Sequence, residues 1–451
     1  MTISRDTLSH IRFGYGFRPE SGSLGGADGL MAQVRADVAP PLSYGLQKRR
    51  VLFARFRTAA RKERDKEITN EELQVIKTEM DELVVSDFTD IMVTQLTSKS
   101  GFVARLAAFW ADHFTIRAEG RRLSLLHGAF VPQAIRPHIN GNFADMLIAV
   151  ATHPGMLVYL DQNTSMGPNS VVGKLRGRGL NENLAREILE LHTLGVGSGY
   201  SQTDVREFAE LLTGLRLSDE GVSFRYIFAE PGPETVLGVE YGADYGEDGL
   251  DTIKNALRDL AVRPETARHI ASKLVTHFVD DVPDPALVDH VAAAYLQNGG
   301  NLVATYEALL AHDAAWVPEL RKVKLPQDYV VSALRAFGFE PGFLRDLTVR
   351  EMRQSIWQPM TAMGQTPNQP LGPDGWPEEA TAWITPATLA ARIDWATELA
   401  RQYGQNLDPR LFLETALGDA ASQNTRFLVA GSESKWEGVA LALASPEFNR
   451  R

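Results

Sequence analysis

The chain has 451 residues, a formal net charge of −11 and no cysteine. Missing cysteine excludes disulfides, thiolate nucleophiles and cysteine-ligated zinc or iron–sulfur centres, and the acidic balance argues against broad attraction to nucleic acid or anionic lipid. No run approaches the roughly 18 apolar residues needed to span a bilayer. Residues 1–17 show neither an apolar stretch of the signal-peptide kind nor a twin arginine, so the expectation is a soluble, cytoplasmic protein, with export alongside a partner left open.

Residues 1–42 are punctuated by glycines and closed by Pro40 and Pro41, which predicts an extended, loop-rich segment with one short helix over Leu30 to Val38. From Ser43 the pattern turns helical. Gln47 to Ile68 is basic and Thr69 to Leu83 acidic, as in a charged hairpin of helices. Asp87 to Arg117 reads as helix with Gly101 as its weak point. With Leu106 at zero and about 100° per residue, Phe102, Val103, Phe109, Trp110, His113 and Phe114 share one arc, so His113 sits within an apolar stripe. Arg136 to Pro154 gives another helix, ending at His153-Pro154 because a residue before proline is pushed out of the α region. Asp161 to Gly179 carries four glycines and the bases Lys174, Arg176 and Arg178, and is expected to be irregular. Val222 to Phe228 alternates like a strand and Thr235 to Val239 could return, giving one small hairpin near 222–239. Helical runs follow, among them Pro264 to Phe278 and Gln327 to Phe337, and a Pro/Gly-rich loop from Trp357 to Pro386 holds Trp357, Trp376 and Trp383. The expected fold is all-α and multihelical with that hairpin, in segments 1–42, 43–220, 221–320 and 321–451.

The chemistry concentrates in NENLAREILELHTLG, Asn181 to Gly195. Asn181 suits an N-cap. On an ideal wheel Asn183, Arg186, Glu187 and Glu190 share a face while His192 lies opposite, so the ELH triplet is no zinc-protease motif. Glu187 and Glu190, joined by His113 from its own helix, could ligate a divalent metal or divide acid and base roles. Against this stands a structural network, in which Arg186 pins the carboxylates and Asn181, Asn183 and His192 satisfy backbone or core polar groups. The basic loop before a helix start invites anion binding by Lys174, Arg176 and Arg178. It misses the Walker pattern: five residues separate Gly167 from Gly173, and Lys174 precedes Leu175. No GxSxG is present.

FWADHFT, HINGNFADMLIAVATHPGMLVYLD, GRGLNENLAREILELHTLGVGSGYSQTDVREFAELLTGL, PETARHIASKLVTHF, PDGWP and the closing ASPEFNRR together resemble the bacterial domain-of-unknown-function family 1800, from about Phe13 to Arg450. The family pattern more often has Asn at the position of Asp112. The resemblance implies a largely helical bacterial protein without an assigned activity, often encoded beside a sulfatase-like protein that carries an export signal. Two functions follow as expectations: a metal- or carboxylate-dependent enzyme acting on an anionic substrate, or a non-enzymatic binding or assembly partner of the exported sulfatase-like protein.

Overall fold

The computed structural model describes residues 3–38, 45–177, 179–218, 221–242 and 249–451. Helices dominate, as the sequence leads one to expect, and the strands form two small antiparallel ribbons. The Val222 run does not reach forward to Thr235. Gly221–Phe224 pairs back with Leu215–Ser218, and Glu234–Val236 pairs with Val239–Tyr241. Each run finds its partner across the nearest turn, where loop closure costs least.

The charged hairpin consists of Leu46–Arg64 and Asn70–Thr97. Thr69 and Glu72 form a reciprocal capping box at the start of the second helix, which then runs well past the acidic stretch. Its last turns leave the hairpin: Phe88, Met92 and Leu96 are fully buried among C-terminal helices. Gly101 ends the run as expected. Its φ of +82° is left-handed, and a Cβ there would stand 2.9 Å from the Tyr15 backbone nitrogen, so neither the backbone nor the space admits a side chain.

The helix that follows, Phe102–His113, is buried on nearly every side. Ala104 belongs to a core built with Tyr329, Val330, Met360 and Leu443, whereas Leu106, Phe109 and Trp110 belong to a larger core that extends to Trp316. One helix thus carries the two larger hydrophobic clusters among the described residues, and a cavity opens along its flank.

Five regions depart from the expected outline. The N-terminal segment, expected to be loop-rich with one short helix, holds two helices, Arg5–Ile11 and Gly26–Ala36, and the helix expected over Arg136 to Pro154 is a 3-10 turn, Arg136–His138, followed by a helix only from Phe143 to Ala151. Asp161 to Gly179 contains a 3-10 turn, Gln162–Thr164, and a short helix, Val171–Arg176, started by the Ser170 hydroxyl accepting from the Gly173 N–H at 3.0 Å. The first part of the tryptophan loop is helical through Ala362. Asn183–Glu187 is α-helical, but Ile188–Thr193 is π-helical, with the Leu194 N–H reaching the Leu189 carbonyl at 3.0 Å. Each π residue turns the chain less than an α residue does. The ideal wheel therefore misplaces Glu190 and His192 relative to Glu187.

Candidate functional site

The residues singled out on the Asn181–Gly195 stretch divide into separate environments. Asn181 accepts the Asn183 N–H through its side-chain oxygen at 2.9 Å, one position before the nominal cap, Glu182. Asn183 is exposed. Arg186 does not bridge the two expected carboxylates. It binds Glu182 at 2.9 Å and Gln202 at 3.0 Å. Glu187 is half-buried, and burial followed by the nearby Glu190 charge raises its pKa. Glu190 lies beside the Tyr200 hydroxyl. Lys174 and Arg176 project into solvent on their short helix, and Arg178 lies outside the described residues.

His113 and His192 are both buried. His113 Nε2 lies 3.1 Å from the His192 carbonyl, and His269 Nε2 lies 2.9 Å from the Leu191 carbonyl. A carbonyl only accepts, so both imidazoles carry their proton on Nε2. They satisfy carbonyls near the C-terminal end of the π-helix that no later turn covers. Burial, then the Lys273 charge, pushes the His192 pKa down to about 3 and that of His113 well below its ordinary value. Among the described residues, His113, Glu187 and Glu190 do not bring ligand atoms within 4.8 Å of one another.

The convergence lies elsewhere. A cavity of about 400 Å³ runs along the Phe102–His113 helix, within the range of small-molecule sites. Arg105, Ala108 and Asp112 face it, spaced so that they fall within about 60° around the axis. His277 enters from the last turn of Pro264–Phe278, and Trp376 from the PDGWP loop. Ile91, Ile116, Phe130 and Val131 supply apolar wall.

His277 is fixed at both ring nitrogens. Nδ1 lies 2.6 Å from Glu378 Oε1, and Nε2 lies 3.0 Å from Arg105 Nη2. A guanidinium only donates, so Nε2 must accept and the proton sits on Nδ1, pointing at Glu378. Arg105 also binds Asp328 at 2.9 Å. Lys322 is fully buried and reaches Glu378 Oε2 at 2.9 Å and Asp281 at 2.5 Å. Burial opposes ionisation of Glu378, but the hydrogen bond from His277 and the charge and hydrogen bond of Lys322 prevail and hold it well below the usual carboxylate range. Arg451 adds an ion pair to Asp328 at 3.2 Å. Buried charges persist only when paired in this way.

Asp112 behaves in the opposite sense. Burial, reinforced by the Glu378 and Asp374 charges, lifts its pKa to about 7, although the Trp376 N–H donates to its Oδ1 at 2.9 Å. The PDGWP loop makes that contact because residue 375 is glycine. Its φ is +87°, and a Cβ would sit 2.7 Å from both the Asp112 carbonyl oxygen and Oδ1. FWADHFT, SKLVTHF, PDGWP and the terminal NRR, far apart in the chain, thus meet at one network.

Fold and site together define a multihelical protein whose two cores flank a cavity bearing a carboxylate-fixed histidine and a neutralisable aspartic acid. The family model described as "Protein of unknown function (DUF1800)" matches residues 9–450, and the chain belongs to that family. Searches of curated proteins and of solved structures gave no match. Sequence reasoning missed Arg105, His277, Asp328 and Glu378 as site residues. His277 lies in PETARHIASKLVTHF and Glu378 directly follows PDGWP, but nothing in spacing pairs residue 277 with residue 378, and Arg105 and Asp328 lie in none of the motifs singled out. Among the described residues, no helix is long and apolar enough to cross a membrane.

Proposed function

We propose that this chain is an enzyme that binds a small organic ligand in the cavity beside Phe102–His113 and moves a proton on it. The observation that carries this reading is His277, which lines the cavity with its tautomer set by Glu378 and its Nε2 lone pair engaged by Arg105, a second lining residue. A ligand O–H or N–H that displaces the Arg105 contact meets a proton acceptor, with a guanidinium at hand to stabilise the anion that forms. Asp112, with its pKa near 7, holds a proton it can return at neutral pH. Glu378 would orient the base as a carboxylate orients histidine in hydrolytic triads, without itself taking the proton.

Filling the cavity tests this. Ala108 lies on the cavity wall between Arg105 and Asp112, so Ala108→Phe occupies the space and leaves the polar network in place. Native mass spectrometry of wild type after exposure to a cell metabolite extract should show a retained small molecule that folded Ala108→Phe does not hold. Equal retention by both proteins, or none by wild type, would reject the cavity as the ligand site.

Two observations favour further roles. Asp374 of the PDGWP loop acts on both Asp112 and Glu187, so the half-buried Glu187–Glu190 pair stands within electrostatic range of the cavity and could relay protons to it. A Glu187→Gln variant with unchanged turnover at every pH would remove that role. Separately, Leu411, Phe427 and Leu428 are exposed on the neighbouring helices Pro409–Leu417 and Gln423–Ala430, an apolar face suited to the expected sulfatase-like partner. Co-purification with that partner, lost on Phe427→Glu, tests it.

A further inference from the structure

Outside the cavity, three carboxylates come together. Glu207 and Glu210 stand one turn apart on Gln202–Leu211, and Glu234 lies on the strand Glu234–Val236 that packs against this helix. One oxygen from each lies within 4.8 Å of the other two. Two acids three residues apart on a helix are commonplace. Glu234 is the unusual member. The strand alternates buried, exposed, buried, and Glu234 takes an inward position of the kind Val236 fills with an apolar side chain.

Glu234 is 5% exposed, and the group within hydrogen-bond reach of its carboxylate is another acid, Glu207, not a base. Its neighbours are acids: Glu210, Glu207 and Glu230 surround it with like charge. The surrounding cations and donors are engaged elsewhere. Glu207 accepts the Thr235 N–H at 2.9 Å, Glu230 is held through both oxygens by Asn169, and Glu210 pairs with Arg206 at 3.2 Å. Arg206 is 62% exposed and reaches the cluster only from its rim. A buried carboxylate aimed at two others, with no base opposite, needs either a proton or a cation to be stable.

We propose that Glu207, Glu210 and Glu234 bind a hard divalent cation of the calcium, manganese and magnesium class. The donor set is all oxygen, with no histidine and no sulfur, which suits these ions and disfavours zinc and copper. The ion joins the ribbon to the helix that follows the NENLARE block, and it clamps that region without touching the cavity. Its failure would leave the acid–base reading intact.

The full chain, stripped with chelator, is titrated with CaCl₂, MnCl₂ or MgCl₂ and its Tm compared with NaCl at equal ionic strength. At least one divalent ion should raise Tm, and Mn²⁺ EPR should report one bound ion per chain. Glu234→Gln reproduces the uncharged carboxyl, so it should match wild type in chelator and lose the divalent response. If that variant fails to fold, Glu207→Gln, which keeps an acceptor for the Thr235 N–H, should lose the response instead. The proposal is overturned if no ion acts beyond the NaCl control, or if the variant responds as wild type does.

Discussion

Asp112→Asn should stabilise this protein, and the gain should depend on pH in a defined direction. The native fold raises the Asp112 pKa from 3.8 to about 7, so the folded state holds a proton that the unfolded chain releases. Between those values folding stability must fall as pH rises, because the native protein binds more protons than the unfolded one. At about 1.4 kcal/mol per pH unit, the rise corresponds to about 4 kcal/mol, an upper figure because the cavity admits solvent. Asparagine keeps an oxygen for the Trp376 N–H and removes the charge. Chemical denaturation of wild type and variant at pH 4, 5.5, 7 and 8 measures the difference. It should be near zero at pH 4, grow through pH 5.5, and level off above pH 7 in favour of the variant. A difference that is flat with pH, or a variant less stable than wild type at pH 8, would refute the account of why Asp112 is perturbed.

Other outcomes follow from the same network. Glu378→Ala removes the carboxylate that His277 and the fully buried Lys322 share and should cost about 3 kcal/mol in denaturant unfolding, the low end for breaking one side of a buried pair because Lys322 keeps Asp281. Gly375→Ala drives a Cβ against Asp112 and should cost about 1–3 kcal/mol, with a change in tryptophan emission as Trp376 shifts. His113→Phe preserves ring volume but leaves the His192 carbonyl without its donor, so it should lower stability by about 1–3 kcal/mol without altering ligand retention in the cavity. Altered retention would mean that His113 belongs to the site after all.

Much of this architecture could be read locally. The helical class, the break at Gly101, the apolar setting of His113 and the stop before Pro154 all depend on a few neighbouring residues. What escaped was either a change of local period or a contact across the chain. The π-helical turns at Ile188–Thr193 invalidate a fixed angular step, and no propensity marks them in advance. Arg186 finds Glu182 and Gln202 instead of Glu187, because Gln202 arrives from the next helix. Glu378 meets His277 across 101 positions, a pairing set by packing of the PDGWP loop and not by spacing. The strand runs near 222–239 were visible, but alternation does not specify which run pairs with which.

The central chemical claim is that Glu378 holds His277 with its proton on Nδ1, so that the Nε2 lone pair accepts from Arg105 and can accept from a ligand in the cavity that displaces it. Nitrogen-15 NMR of histidine-labelled protein at neutral pH reads that tautomer. An Nδ1-protonated, Nε2-unprotonated ring for His277 is the predicted result. A ring protonated at Nε2 would contradict it.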